Sequence, residues 1–390
     1  MPKVLFTAST FSHILNFHLP YIERFQQLGW QVHVACGAPQ TAELPEIPGA
    51  AQVFALPLEK KMLAGGNFWA VRLLRQKIAA EQYALISTHT SLAAFFTRLA
   101  LPQNSRKRPR VLNMVHGYLF DDKTPALKKA VLLNAEKLTA GCTDLLLTMN
   151  RWDLAAARKY RLGGEIDFIP GVGVDFARFA QIEPAEAQAL RASLGLQPQD
   201  FVLIYAAEFS GRKSQSVLLQ ALARLAAEPL DLPAQGRLVL LLPGSGALLD
   251  DCRRLAAELG LAQPASGRPL VIFPGQQKNM PLWYAMADAA VSGSRSEGLP
   301  FNIMEAMYAG LPVVASDVKG HADLLRPEQA EACGLLYPYG DAAACAAQLC
   351  RLWQEPEMAR NLAARARQSV RQYSLAQVLP QVWAQYEKLI

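Results

Sequence analysis

The sequence is poor in cysteine, and none of its cysteine is arranged for bonding. Six thiols (Cys36, Cys142, Cys252, Cys333, Cys345, Cys350) are scattered along 390 residues with no Cys-x-x-Cys pair, so neither a zinc site nor a disulfide framework is indicated. Reduced cytosolic thiols are expected. Long hydrophobic runs are also missing: none approaches the ~20 residues that a membrane-spanning helix needs. There is no repeat at a solenoid period and no low-complexity tract. The opening residues Met1 to Thr10 have too short an apolar part for a signal peptide and read as a first strand. No nucleic-acid motif accompanies the basic loop Asn104-Ser105-Arg106-Lys107-Arg108-Pro109-Arg110, which reads as solvated or membrane-facing rather than as an RNA site.

What is present is a chain that can fold. A hydrophobic content of 51% excludes a disordered chain, and 390 residues suit two domains rather than one core. The net charge of +6 is unevenly placed. The basic excess lies before Ile169 and the remainder is near neutral, which points to different partners for the two halves. Residues Phe68 to Lys77 read as an amphipathic basic helix, preceded by Lys60 and Lys61. Solvation is the ordinary reading of such a face, and contact with anionic lipid headgroups is the sharper one.

Along the chain, short apolar runs alternate with helical patterns. Strands are read at Lys3–Ala8, Gln31–Cys36, 85–88, 111–115, 144–150 and 166–170. After an interdomain turn at Gly171 to Asp175, further strands are read at 201–206, 238–243, 271–275, 289–292, 311–315 and 334–337. Alternation of this kind predicts α/β architecture with parallel sheets built from right-handed βαβ units. Helices are read at 127–138, 153–159, 341–354 and 357–373, and Val378, Val382, Trp383 and Tyr386 give the tail one apolar side.

In such sheets ligands sit outside the carboxyl ends of strands. Three loops in those positions carry chemistry. The first is Ser9-Thr10-Phe11-Ser12-His13, where Ser12 and His13 are candidate ligand contacts, with His18 read as a helix-start residue making a structural hydrogen bond. The second is His116-Gly117-Tyr118, and His89 follows a strand in the same way. The third is Glu208 to Gln215, where Arg212 and Lys213 enter a helix; a guanidinium fork and a point charge beside free amides suit a diphosphate.

The most informative stretch runs from Ser294 to Ala306. Glu297 and Glu305 stand with seven residues between them, the first in a strand-to-helix loop and the second in the first two turns of a helix. Pro300 suits the first turn. Free N–H groups around Gly298, Leu299, Pro300 and Phe301 make an anion site at the helix start. A carboxylate beside an anion site is electrostatically awkward unless it accepts hydrogen bonds from hydroxyls of the same ligand, and a sugar nucleotide carries phosphates and hydroxyls together.

Ser-Arg-Ser-Glu-Gly-Leu-Pro-Phe-Asn-Ile-Met-Glu-Ala-Met (294–307), with Gly-Leu-Pro-Val-Val-Ala-Ser-Asp (310–317), resembles the donor-site signature of glycosyltransferase family 4. The opening Thr-Ala-Ser-Thr-x-Ser-His-Ile-x-x-Phe-His-Leu-Pro-Tyr (7–21) resembles capsule and exopolysaccharide members of that family. The resemblance covers nearly the whole chain. It implies the GT-B fold, two doubly wound Rossmann-like domains facing each other across a cleft. The first would span residues 1–175, take the acceptor, face the membrane and be completed by the helix 374–390. The second, 176–373, would bind the donor.

It further implies a retaining enzyme that moves a sugar from a nucleoside diphosphate sugar, expected to be UDP-linked, to a lipid-linked or saccharide acceptor in capsular, exopolysaccharide or O-antigen synthesis. His116 would lie against the donor sugar, Glu297 would accept from the sugar ring, Glu305 from the ribose, and Lys213 and Arg212 would meet the diphosphate. Glu208 occupies the family's common arginine position, with Arg212 as its substitute. Tyr118 stands for the usual Phe and Leu119 for a frequent second His. No cofactor or metal is expected, because the chain has no Asp-x-Asp pair of the kind that holds a metal in the other large transferase fold. The expected location is cytoplasmic and peripheral on the inner membrane face, with an anionic membrane surface as partner and no nucleic acid. A sugar-nucleotide epimerase of the same fold, or a silent sugar-nucleotide-binding subunit, stays open at this stage.

Overall fold

The computed structural model describes residues 1–39, 41–59, 62, 64–102, 108–227, 236–262, 267–327 and 331–390. Its contacts divide the chain into two compact units, Met1–Gly173 with Leu375–Ile390, and Val174–Ser374. Lys60, Lys61, Arg106 and Lys107, four of the basic residues singled out above, lie outside the described residues.

The first unit is built on β1 (Lys3–Ala8), β2 (Gln31–Gly37), β3 (Gln52–Leu56), β4 (Leu85–His89), β5 (Arg110–Val115), β6 (Leu145–Thr148) and β7 (Glu165–Phe168). They pair in the order β3-β2-β1-β4-β5-β6-β7, every pair parallel. The second unit holds β8 (Phe201–Ile204), β9 (Leu238–Leu241), β10 (Val271–Ile272), β11 (Ala289–Ser292), β12 (Val313–Ser316) and β13 (Leu335–Tyr337), also parallel, in the order β10-β9-β8-β11-β12-β13. Helices on both faces explain why the central strands are apolar at consecutive positions rather than alternately: Val4, Leu5 and Phe6 are all fully buried, as are Leu145, Leu146 and Leu147.

Each sheet reverses its strand order once, at β1/β4 in the first unit and at β8/β11 in the second. Those switch points open a crevice beyond the strand ends, where chains leaving neighbouring strands depart in opposite directions. The candidate residues of both units come from these strand ends.

Capping side chains fix helix starts. Asn150 accepts from the Asp153 amide at 2.8 Å, and Asp341 from the Ala344 amide at 2.9 Å. The helix Leu375–Glu387 belongs to the first unit, where Trp383 and Tyr386 pack edge-on against Phe25 with centroids 4.9 and 5.3 Å away. A fully buried Arg98 donates to Glu136 at 2.8 Å and to the Ala94 carbonyl at 3.0 Å, tying the helix Ser91–Leu99 to the helix Ala126–Ala140.

Five elements differ from the sequence reading. Residues 9–13 are not all loop: a helix runs Phe11–Phe17, capped by Thr10, so Ser12 and His13 are helical. The pattern after β12 reads as a loop over Ser316 to His321, but Lys319–Leu325 is a helix and carries His321. His89 closes β4 instead of following it. Strand β3 was passed over, because Gln52-Val53-Phe54-Ala55-Leu56 is a half-buried edge with a weak pattern. Pro300 caps the helix Phe301–Tyr308 with ψ 107° and is not its first-turn residue.

Candidate active site

In the second unit, β8 and β11 lie side by side and their following loops converge. The buried Glu297 is met from two sides. Lys213 Nζ donates to Oε1 at 2.5 Å and Arg212 Nη1 to Oε2 at 3.2 Å. Ser294 Oγ donates to the same Oε1 at 2.6 Å, and the Tyr205 hydroxyl reaches both Ser294 Oγ at 2.7 Å and the Lys213 carbonyl at 3.2 Å. Burial by itself would raise the Glu297 pKa, but the Lys213 and Arg212 charges outweigh it and hold the carboxyl at about 2. The carboxylate is therefore the counterion of both cations. Two positive groups aimed at one place, Lys213 mostly buried and Arg212 about half exposed, can be handed to an incoming anion at small reorganisation cost.

The backbone of this loop is tightly set. A Cβ on Gly320 would come 2.6 Å from the Gly298 carbonyl and 2.9 Å from that of Glu297, so the start of Lys319–Leu325 lies directly on the Glu297–Gly298 segment. Ser214, next to Lys213, adopts φ +48°, a left-handed conformation that costs a non-glycine residue energy and is held here by the surrounding structure. Gly246, φ +150°, packs backbone to backbone on Phe209, and a Cβ there would fall 2.5 Å from the Phe209 carbonyl. The Gly244-Ser245-Gly246 loop thus braces the segment that carries Arg212 and Lys213, a role that its weak sequence pattern did not reveal.

Glu305 sits two turns further on. Its partner is Arg178, from the short 3₁₀ turn Ala177–Phe179, and the buried Tyr284 stands beside it. Burial raises the Glu305 pKa, and Arg178 opposes that rise. The 3₁₀ turn is anchored by Phe176 stacking flat on Tyr308, centroids 4.1 Å apart, with Phe179 edge-on to the same ring. Asn302 Nδ2 donates to the Ala206 carbonyl at 3.0 Å and holds the helix start to the end of β8.

The remaining sequence-selected residues fall as follows. Gly298, Leu299 and Pro300 are buried and Phe301 is half-buried. Gly298 and Phe301 each make a further interaction within the protein. The Glu208 side chain is exposed, and its carbonyl accepts from Gln215 Nε2 at 2.8 Å. Ser12 is exposed and bonds only sideways to Thr10 Oγ1 at 3.1 Å. His321 uses Nδ1–H to donate to the Ser316 carbonyl at 2.8 Å, leaving Nε2 buried and unpartnered.

In the first unit, His13 and His116 come together with His18 and His89. His13 Nε2 lies 3.3 Å from His116 Nε2 and 3.3 Å from His18 Nε2, and His116 Nε2 lies 3.5 Å from His89 Nδ1. His18 caps the helix Leu19–Gln27 by position, but its side chain makes no cap hydrogen bond and turns into this cluster. Burial lowers all four pKa values, His13 to about 4, and each ring disfavours charge on its neighbours. The imidazoles are neutral at pH 7. Thr90, directly after His89, is held at φ +61°, a genuine outlier for a β-branched residue.

Sequence reasoning missed Arg178, Ser294, Tyr205 and His18. Arg178 carries no local signal, since only the fold brings it to Glu305. The histidines did carry one: His13, His89 and His116 each stand at or just past the end of β1, β4 or β5, three neighbouring strands.

Two doubly wound parallel sheets, one with a carboxylate-held cation pair at its switch point, define the class: glycosyltransferases of the GT-B fold. Comparison with known proteins agrees. The family model described as "Glycosyl transferases group 1" matches residues 186–369, and "Glycosyltransferase Family 4" matches residues 21–178. EpsD of Bacillus subtilis (strain 168), named as a proposed glycosyltransferase, is 32% identical over 381 residues, 97% of this chain and 95% of EpsD. The Escherichia coli UDP-Gal:alpha-D-GlcNAc-diphosphoundecaprenol alpha-1,3-galactosyltransferase is 26% identical over 260 residues, 65% of this chain and 63% of that one. Among solved structures, Anabaena HepE in complex with UDP and glucose superposes with TM-score 0.75 at 19% identity, covering 100% of both chains. The chain belongs to glycosyltransferase family 4 and is a glycosyltransferase.

Proposed function

We propose that this enzyme transfers a sugar from a UDP-linked donor to a lipid-linked saccharide, with retention at the anomeric carbon, in the synthesis of an exopolysaccharide or related surface polymer. The observation that carries the reading is the Lys213–Glu297–Arg212 cluster at the β8/β11 switch point. The complex of HepE with UDP and glucose, and the UDP-Gal donor and diphosphoundecaprenol acceptor in the name of the Escherichia coli relative, support the same substrate classes.

In this mechanism the donor diphosphate takes over Lys213 and Arg212 together with the start of the helix Phe301–Tyr308. As the bond from the anomeric carbon to the diphosphate oxygen breaks, its electron pair stays on that oxygen, and the two cations stabilise the growing charge in place of a metal ion. Glu297, released in part, accepts from hydroxyls of the sugar. The acceptor oxygen bonds to the anomeric carbon on the same face, and its proton passes to a phosphate oxygen of the leaving group. His116 positions the sugar, and Glu305 accepts from the ribose hydroxyls.

Glu305 gives this reading a test with a sign. Its folded pKa lies above the unfolded value, so ionisation at neutral pH works against the empty protein. Ribose hydroxyls donating to the carboxylate would offset that cost. Glu305→Ala should therefore leave thermal stability at pH 7 unchanged or raised, yet weaken UDP binding by at least ~10-fold, the loss of one or two charge-assisted bonds at about 1.5–3 kcal/mol each. A thermal-shift panel of sugar nucleotides on the wild type identifies the donor, with about 2.7 kcal/mol of stabilisation expected at 100 times the dissociation constant. Unchanged UDP affinity in Glu305→Ala would refute the ribose assignment.

A further inference from the structure

The four histidines of the first unit are more than a packed core. Four of the six histidines of the chain meet there, and one ring nitrogen from each lies within 4.8 Å of all the others. They arrive from separate elements: His13 from the helix Phe11–Phe17, His18 from the junction with Leu19–Gln27, His89 from the end of β4, and His116 from just past β5.

Hydrogen bonds among the rings cannot satisfy this arrangement. An imidazole nitrogen has one in-plane lobe, either a lone pair or an N–H. His13 Nε2 faces two ring nitrogens, His18 Nε2 and His116 Nε2; His116 Nε2 likewise faces two, His13 Nε2 and His89 Nδ1. Each of these two lobes can serve only one neighbour well. A single cation at the common centre would be reached by all four lone pairs at once.

The spacing fits that cation. With metal–nitrogen bonds of 2.0–2.1 Å, the edge of a tetrahedron of nitrogens is about 3.3–3.4 Å. The three shortest contacts here are 3.3, 3.3 and 3.5 Å. His13 and His116, the two rings that are not fully buried, can shift to close edges of their own, whereas the His18–His89 edge joins two buried rings with centroids 3.8 Å apart, so metal loading would also turn one of these rings. The outer shell is built in part. His89 Nε2 lies 3.0 Å from Ser87 Oγ, which lies 2.7 Å from the Tyr386 hydroxyl, so the nitrogen turned away from the cluster has a hydroxyl able to accept its N–H, while His18 Nδ1 is buried without a partner. The second unit's cations play no part in it.

We propose that His13, His18, His89 and His116 form a binding site for one divalent transition metal that favours imidazole ligands, with zinc as its reference ion. The site would pin the junction between β1, β4 and β5 and hold His116 in one orientation, leaving its Nδ1 as the N–H that can meet a sugar hydroxyl. This differs from the expectation of a metal-free protein, and it does not depend on the donor reading, since a metal could bind here whatever the second unit recognises.

The test uses the full chain without a polyhistidine tag, stripped with a chelator and dialysed against zinc or cobalt. One equivalent of metal by mass spectrometry, a rise in Tm on loading and the strong visible bands of tetrahedral cobalt are expected. His13→Gln and His116→Asn, at the two less buried positions, should each weaken metal affinity by more than ~100-fold, since losing a ligand costs more than losing an outer-shell partner. His33→Asn serves as control: His33 is buried in the same unit but bonds to Tyr83 at 2.8 Å, outside the cluster. Substoichiometric uptake by a protein with native circular dichroism would overturn the proposal. So would uptake that survives both His13→Gln and His116→Asn unchanged, which would mean adventitious binding elsewhere. UDP affinity, measured on the same stripped protein, reports the donor site separately.

Discussion

At the scale of single residues, the second unit is governed by one buried carboxylate. Glu297 is charged because Lys213 and Arg212 make it so, and they are held in place because it is charged. Its pKa is depressed from 4.5 to about 2, so the stabilisation it contributes is fully present above about pH 4.5 and is lost as the pH falls toward 2. Through that linkage it is worth on the order of 3 kcal/mol. Glu297→Gln should flatten the fall in urea-unfolding stability across this acid window. Lys213→Met should instead cost about 3–5 kcal/mol at pH 7, because it strands a buried charge. If Lys213→Met unfolds at wild-type urea concentrations, the pair is not coupled as described. Glu297, Lys213 and His116 were legible in the sequence in loops after strands and Glu305 in the helix that follows, with the family resemblance weighting Lys213 and His116. Their mutual arrangement was not. That Glu297 would serve as counterion to the cations depends on β8 lying next to β11, and that Glu305 would face Arg178 depends on Phe176 stacking on Tyr308; both are products of tertiary packing.

At the scale of elements, strands were easier to read than short helices. A strand buried on both faces announces itself as a continuous apolar run, as Leu145-Leu146-Leu147 does. The helix Lys319–Leu325 has seven residues, begins with a glycine in its first turn and buries His321, so neither periodicity nor propensity marks it. Its reason for starting there is steric: only a residue without Cβ lets it approach the Glu297–Gly298 carbonyls. Gly320→Ala therefore tests the element as a whole. Because the obstructing atoms are backbone and cannot swing away, the substitution should destabilise the fold by about 1–3 kcal/mol, as overpacking does, and displace the loop that carries Glu297. UDP affinity should fall along with Tm. A variant of wild-type Tm and UDP affinity would show that the helix start can shift without disturbing the site.

At the scale of the molecule, the two units share an architecture but not a surface. The basic excess of the sequence lies in the first, and so, among the described residues, do most of the exposed large apolar side chains. On the helix Ala126–Ala140, Leu127, Val131 and Leu138 are 81%, 52% and 61% exposed and recur on one side, interleaved with Lys128, Lys129 and Lys137. Phe68 and Trp69 are 60% and 64% exposed on the helix Gly65–Glu81, with Arg72 over the Trp69 ring. Both helices pack against Ser91–Leu99. Apolar side chains left in water beside cations suit a surface that is apolar just below an anionic layer. No described helix is long and apolar enough to cross a membrane; attachment through these two helices would be peripheral and would meet a lipid-linked acceptor at headgroup level. Each lysine near such a surface contributes about 1 kcal/mol, screened by salt within a Debye length, and each inserted leucine contributes about 1.5–3 kcal/mol that salt does not screen. The two contributions can be separated by vesicle sedimentation. Lys128→Glu with Lys137→Glu should weaken binding to anionic vesicles at low salt and reduce its salt dependence. Leu127→Ser with Leu138→Ser should weaken binding at every salt concentration by a similar factor. Equal binding of the wild type to anionic and neutral vesicles, or no binding at low salt, would make these helices a solvated face and turn the search for the acceptor toward soluble saccharides.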